Sequence, residues 1–520
     1  MKMVRLLWHD YRYFPYERGL AKREARALFG RAPQEDPDGL ALQGACECED
    51  APSRLTYFKA ALAGQVLVVP DQAKLEATGN GNGSAWEPAR QPIPSLHRQC
   101  TRYSAHGLHE YRGKFNPQVV RAIGNLLRLE PGAWVLDPFC GSGTTLLEAA
   151  HIGWNGLGVD INPLAVLIAN AKIAAFNASP DEFDRECEAL AKRHDAAVDG
   201  LDCQEHLPEH GYLQKWFPLP VLRKLNAILH AITSTRPAPL QDVFRVILSD
   251  IIRDVSFQDH ADLRIRRRKD PAQDYPAVEL FLETLRAKVA SVVRARKHIQ
   301  PKEGAIQYAI FGDTRDIYSV TWPVTARRRF QAFDAAITSP PYATAMPYLD
   351  TQRLSLAILG LIESRELRHG EKRLIGNREI QDNERLYLEE ELRTNAAQLP
   401  ENASRFCRHL LALADDPKHG FRRRNVPALT YKYLADMGSM FASTHRVIKA
   451  GGGYALLVGR NSTTLKGKQV LIDTPALLAD VAQSRGWRLE ETLTFETYHR
   501  YDVHQSNSIR EEALIILRAN

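Results

Sequence analysis

Two short strings carry the residue types that could do chemistry: D-P-F-C-G-S-G-T-T at 137–145 and T-S-P-P-Y at 338–342. The first follows an apolar run, Trp134, Val135 and Leu136, that ends on the carboxylate of Asp137. Gly141 and Gly143 allow a turn that approaches a ligand with no Cβ in the way. Thr144 and Thr145 then open a helix, with Leu146, Leu147, Ala149 and Ala150 behind them. Strand, glycine turn and helix start form the nucleotide-cradling corner of an open α/β sheet. The spacing is G-S-G-T-T rather than G-x-G-x-x-G, and no Walker lysine follows, which argues against a dinucleotide and a phosphate site. In the second string two prolines fix φ and remove two backbone donors. Carbonyls in that loop can therefore face a pocket without competing donors.

As a pair, the strings resemble the S-adenosyl-L-methionine loop and the catalytic motif of the amino-methylating DNA methyltransferases. The resemblance implies S-adenosyl-L-methionine as cofactor, held by Asp137, Pro138, Phe139, Gly141, Gly143 and Thr144. It implies Ser339, Pro340, Pro341 and Tyr342 as the catalytic group. The same family places a basic residue and F-x-P upstream, over the methionine end of the cofactor. Y-R-G-K-F-N-P at 111–117 fits, with Phe115 and Pro117 in those places. N-G-L-G-V-D at 155–160 reads as a second strand ending on a carboxylate, and Asp160, followed by Ile161, suits a ribose diol. The alternative for Asp160 is a helix cap, because Asn162 and Pro163 begin another helix. After a third strand, Asp313 is the candidate acceptor for the cofactor's adenine amino group, with Asp316 as fallback.

An exocyclic base nitrogen is a poor nucleophile, because its lone pair is delocalised into the ring. Hydrogen bonds from the amine to Ser339 and the Pro340 carbonyl would favour a tetrahedral nitrogen, and placement would supply most of the rate. The target lies inside a duplex, so the base must flip out, with Tyr342 stacked on it. Serine where adenine enzymes of the family usually carry Asp or Asn favours cytosine N4. Adenine N6 is the alternative, as is an RNA base in the same pocket. No Pro-Cys pair occurs, which argues against carbon-5 chemistry. A binding protein that keeps the fold without catalysis is a further rival, as is a nicotinamide oxidoreductase, which the loop spacing disfavours.

These motifs need a sheet to hold them. The segments 134–136, 155–160, 305–311, 333–337 and 453–458, with 488–497 and 513–518 as closing strands, give seven strands of an open, mostly parallel α/β sheet. The expectation is a Rossmann-like class I methyltransferase fold, with the F-x-P segment, cofactor loop and T-S-P-P-Y in non-permuted order. The expected units are a small N-terminal domain at 1–75, a linker at 76–100, core at 101–177, a helical insertion at 178–302, core at 303–345, a second insertion at 346–431 and core at 432–520. The N-terminal unit carries a helix at 17–29 and a strand at 63–70. The first insertion shows helical patterns at 220–232, 240–254 and 277–293 and a basic run, R-I-R-R-R-K at 264–269. Arg405, Arg408 and the run at 422–424 make the second insertion the candidate for target recognition.

A chain of 520 residues with net charge +6 and pI ≈ 8.8 is mildly basic, which permits DNA as partner without requiring it. The resemblance also admits a restriction endonuclease partner; oligomeric state is not legible. The cysteines (Cys46, Cys48, Cys100, Cys140, Cys187, Cys203 and Cys407) are odd in number and lack a C-x-x-C pair, so a reduced cytoplasmic protein without a metal site is expected. The first residues show no signal peptide, and no apolar run is long enough to span a bilayer.

Overall fold

A computed structural model describes residues 3–43, 50–79, 98–197, 207–259, 266–320, 333–343, 348–377, 379–415, 420–496 and 511–520. The N-terminal unit contains β1 (Met3–Trp8), β2 (Gln34–Asp36), β3 (Gly39–Gln43), β4 (Phe58–Ala63) and β5 (Val66–Val68), in the spatial order β2-β3-β1-β4-β5. The helix Pro15–Phe29 crosses it and packs Leu20, Ala21, Ala25 and Phe29 inward. The single strand expected at 63–70 is instead the turn and second arm of a hairpin. Gly64 takes φ +66°, and Val66 returns to pair with Ala63. The helix Asp71–Thr78 runs past residue 75, and most of the expected linker, 80–97, lies outside the described residues.

The main sheet contains β6 (Trp134–Asp137), β7 (Asn155–Asp160), β8 (Gln307–Phe311), β9 (Phe333–Thr338) and β10 (Ile448–Gly459). A separate hairpin, β11 (Asn461–Leu465) and β12 (Lys468–Ile472), precedes β13 (Trp487–Glu496) and β14 (Glu511–Ala519). The seven-stranded order is β13-β14-β10-β9-β6-β7-β8, with β14 antiparallel to both neighbours and the remaining pairs parallel. This is the class I methyltransferase topology expected from the sequence.

The central strands are covered on both faces, which is why they read as unbroken apolar runs. Val135, Ala335, Ile337, Ala455 and Leu457 face the helix Pro117–Leu126 and the N-terminal unit. Leu136, Ala336, Tyr454 and Leu456 face the helices Phe421–His445 and Thr474–Gln483. The N-terminal unit is fastened to this body. Tyr16 stacks on Phe495 with ring centroids 4.4 Å apart, and Arg23 holds Glu491 through two bonds of 2.7 Å.

The first insertion supplies Leu219–Thr233, Pro239–Ile251 and Ala277–Arg296, whose apolar sides join those of the core helix Pro163–Asn177 in one cluster. Of the basic run, 264–265 lie outside the described residues, while Arg266, Arg267 and Lys269 are exposed. The helix Phe421–His445 runs through the expected boundary at 431. Among the described residues no helix is long and apolar enough to cross a membrane.

Candidate active site

β6 and β9 are neighbours where the sheet order reverses, with Val135 opposite Ala335. Ligands of open α/β sheets bind beyond the C-terminal strand ends at such a point. Both motifs leave from this position, D-P-F-C-G-S-G-T-T after β6 and T-S-P-P-Y after β9. Thr338 Oγ1 donates to Asp137 Oδ1 at 2.6 Å, and the Phe139 amide donates to the same oxygen at 3.1 Å. Asp137 is 2 % exposed, and burial pushes its pKa up to about 6.

The two glycines of the loop serve different ends. Gly143, at φ +76°, packs the loop against the helix Pro163–Asn177: a Cβ there would stand 2.6 Å from Ala169 Cβ. At Gly141, with φ +49°, an added Cβ would meet a single atom within 4 Å among the described residues, Tyr111 Cε1 at 3.5 Å. Its bare side is therefore where a ligand can approach backbone. The Gly141 amide donates to Asp160 Oδ2 at 2.9 Å, and the Asn162 amide to Asp160 Oδ1 at 2.8 Å. Asn162 itself caps the following helix, accepting from the Leu164 amide at 3.1 Å, so Asp160 is not that cap. Pro138 and Thr144 are buried beneath the loop, and Phe139 and Ile161 are half-buried at its rim.

These residues fit S-adenosyl-L-methionine. An open glycine, a half-buried carboxylate ending β7 and a second carboxylate ending β6 suit a ligand with a ribose diol and two cationic groups. Burial pushes the Asp160 pKa up to about 6, against the pull of the Asn162 and Gly141 amides. A raised folded pKa means that the folded apo protein holds this proton more tightly than the unfolded chain. Its contribution to stability is thus full below about 4 and lost as pH rises through about 6. Binding of a ribose diol at Asp160 would run the other way, since the ionised carboxylate is the better acceptor for hydroxyls. Calorimetric titration between pH 5 and 8 should show affinity for S-adenosyl-L-methionine falling as pH drops through about 6. Asp160→Asn should shrink that step to the part that belongs to Asp137; a step of unchanged size in the variant would assign it wholly to other groups.

Phe115 is 8 % exposed within the cluster beneath the N-terminal unit, and Pro117 opens its helix behind the cap Asn116. Asp313 caps the turn after β8. Arg315 binds both its oxygens, Nε to Oδ1 at 2.9 Å and a terminal nitrogen to Oδ2 at 2.6 Å. Burial opposes ionisation of Asp313, but its bonds to Arg315 outweigh that and hold the pKa below the usual carboxylate range. Asp316 is exposed. Ser339 Oγ donates to the Leu457 carbonyl at 3.2 Å, and the Tyr342 hydroxyl donates to Glu512 on β14. Gly376 from the second insertion lies against this loop, where a Cβ would stand 2.6 Å from the Tyr342 carbonyl oxygen. Asn461, at the start of β11, donates to the Ala343 carbonyl at 3.0 Å. Met346 and Pro347, at the start of that insertion, lie outside the described residues.

Sequence reasoning passed over several residues here. Thr338 and Tyr111 stood inside quoted motifs without a role. Lys172 left a usable signal, a lone lysine in the apolar run A-N-A-K-I-A-A-F. It is fully buried under the loop and donates to the Ser142 carbonyl at 2.8 Å and to Ser142 Oγ at 3.1 Å; burial holds its pKa well below that of an ordinary lysine. Glu512 left none, because its partner Tyr342 lies 170 residues away.

Two other clusters lie apart from the site. A cavity of about 800 Å³ lined by Lys22, Arg26, Arg128 and Arg518 sits where β13 begins and β14 ends, at the opposite edge of the sheet. Behind the loop, Glu148 accepts from Tyr103, His106 and His151 at 2.9, 2.8 and 3.0 Å. Its other oxygen takes Arg121 Nε at 3.0 Å. The two imidazoles and the carboxylate have the grouping of a metal site, but the guanidinium already matches the carboxylate charge.

Comparison with known proteins gives the following. Residues 60–171 match the DNA methylase family model of N6 and N4 methyltransferases. The chain is 24% identical over 344 residues to the Type II methyltransferase M.MjaII of Methanocaldococcus jannaschii, covering 51% of this chain and 64% of that protein. It is 24% identical over 295 residues to the Type II methyltransferase M.BsoBI of Geobacillus stearothermophilus, covering 52% and 55%. A shorter stretch of 46 residues is 50% identical to a tRNA (guanine(10)-N2)-dimethyltransferase of Methanocaldococcus jannaschii, covering 9% and 13%. The chain thus spans less than two thirds of the length of each of these relatives.

Proposed function

We propose, from the premise that this chain carries the domain of the N4/N6 amino-methylating DNA methylases, that it methylates the exocyclic amine of a flipped-out DNA base, cytosine N4 foremost. The observation that carries the reading is the hydroxyl of Ser339. Its proton is committed to the Leu457 carbonyl, which leaves the oxygen lone pairs as acceptors at the end of β9, beside Asp137. Bound S-adenosyl-L-methionine supplies an electrophilic methyl group. The residues of the chain supply the rest. Ser339 Oγ and the Pro340 carbonyl accept from the target amine, draw it toward a tetrahedral geometry and free its lone pair. Tyr342, anchored at its hydroxyl by Glu512, offers its ring to the extruded base. Phe115, Pro117, Asp137, Phe139, Gly141, Asp160 and Asp313 would hold the cofactor, with Pro138, Gly143, Thr144 and Ile161 shaping its loop.

Recognition of the surrounding duplex is assigned to the second insertion. Arg315, in the turn after β8, pairs with Asp436 at 2.9 Å, which sets that point of the helix Phe421–His445 close to the C-terminal edge of the sheet. Arg422 lies about 20 Å farther along the helix, taking roughly 1.5 Å per residue. Arg422, Arg423 and Arg424 are all exposed there. The relatives named Type II methyltransferases support DNA as substrate, and a restriction endonuclease partner accords with that. The short stretch shared with a tRNA methyltransferase supports the second reading, an RNA base.

Two experiments test the two assignments. Nucleoside mass spectrometry of DNA and RNA from cells expressing wild type should find N4-methylcytosine in DNA. Alanine at 422–424 should lower duplex affinity and reduce its salt dependence. N6-methyladenine would move the target to adenine, and a product confined to RNA would replace the substrate. Unchanged affinity and salt slope would remove the arginines from the interface.

A further inference from the structure

The segment that leads into Tyr111 is held from two sides. From the core, Glu148 binds Tyr103 and His106, and Lys114 donates to the carbonyls of Thr101 and His106 at 2.9 and 3.2 Å. From the first insertion come Ser249 and Asp250, at the end of the helix Pro239–Ile251, and Lys288, within Ala277–Arg296. Asp250 Oδ1 accepts from the Glu110 amide at 2.6 Å, and Oδ2 accepts from Lys288 Nζ at 2.7 Å. Lys288 Nζ also donates to the Gly107 carbonyl at 2.6 Å. His109 Nε2 lies 3.0 Å from Ser249 Oγ. One largely buried ion pair of the insertion therefore grips the backbone at 107 and at 110. The next residue is Tyr111, whose ring edge stands 3.5 Å from the place of a Cβ on Gly141.

A seven-stranded core does not need these helices, and their apolar sides are spent on the core helix Pro163–Asn177. Their polar contacts with 107–110 set the ring that overlooks the one open glycine of the loop. We infer that Asp250 and Lys288 are positioning residues for the cofactor site: the insertion clamps 107–110 so that the edge of the Tyr111 ring stands beside Gly141 and walls the ligand's place there. The inference rests on 137–143 being the S-adenosyl-L-methionine loop. It gives the insertion a task within the methyltransferase rather than on nucleic acid.

The test uses the full chain, calorimetric titration with S-adenosyl-L-methionine, and hydrogen exchange of the apo protein. Asp250→Ala should speed amide exchange at 107–111 and weaken affinity about tenfold, the size of one lost contact of hydrogen-bond strength. Tyr111→Ala should weaken affinity similarly. The double variant should be no weaker than the worse single one, because both changes remove the same ring placement. Asp250→Asn, which keeps an acceptor for the Glu110 amide, should recover part of the affinity. Lys288→Met serves as a second break of the clamp if Asp250→Ala fails to fold. Faster exchange with unchanged affinity would overturn the inference, as would additive losses in the double variant. No binding by wild type would overturn the cofactor reading as well, so the two failures are distinguishable.

Discussion

Ser339→Ala is expected to lower the methylation turnover by about 10²–10³-fold, the typical cost of deleting one polar group aimed at the reacting atoms. Affinity for S-adenosyl-L-methionine should stay near that of wild type, because Ser339 leaves β9 while the cofactor loop leaves β6. The physical basis is the direction of the Ser339 hydroxyl. Its proton points at the Leu457 carbonyl, so the oxygen can only accept from an incoming amine. Alanine removes that acceptor together with the bond to the Leu457 carbonyl. Single-turnover methylation of a saturating DNA substrate, alongside calorimetry of cofactor binding, measures both quantities. Full turnover in the variant would show that the amine is oriented by other groups.

Glu148→Gln should lower folding stability by about 3–5 kcal/mol, the usual cost of breaking a buried ion pair from one side. Arg121 is 3 % exposed and Glu148 fully buried, so the amide would strand a guanidinium with no water to solvate it. Burial opposes ionisation of Glu148, but Arg121, His151 and the His106 bond overcome it and hold the pKa well below the usual carboxylate range. A depressed folded pKa contributes stability above the unfolded value of about 4.3, and that stability is lost as pH falls below it. Denaturant titrations at pH 7 and pH 4 measure the effect, with the gap between wild type and variant narrowing at the lower pH. A stability change below about 0.5 kcal/mol at pH 7 would show that the network is solvated or rearranged.

The core of this fold was legible because its strands are buried on both faces. W-V-L-D, N-G-L-G-V-D and F-D-A-A-I-T each form a run of strand length, bounded by turn residues. Exposed strands carry no such mark. The hairpin N-S-T-T-L and K-Q-V-L-I is not legible in the sequence, because it is largely polar and packs little more than Leu465 and Ile472 inward. F-K-A-A-L-A, which forms β4, is mostly alanine with a lysine, both poor strand formers, so the sequence shows only the second arm of the hairpin at Gly64. The motif residues could be placed by their distance from strand ends. Their partners could not: Thr338 with Asp137, Tyr342 with Glu512 and Asp250 with Glu110 meet across 201, 170 and 140 residues. No local periodicity encodes such pairings.

The bond between Thr338 and Asp137 bears on how such a chain can grow. The two halves of the site are referenced to each other at one point, through adjacent strands whose pairing is independent of what lies between them. Lengthening the connection costs only loop-closure entropy, which rises as the logarithm of length. A tenfold longer excursion costs about 2 kcal/mol. The helices of the first insertion more than offset a cost of that size by burying their own apolar surface against the core. Between these two strands the fold can therefore accept whole new helical layers while the distance that sets the chemistry stays at 2.6 Å.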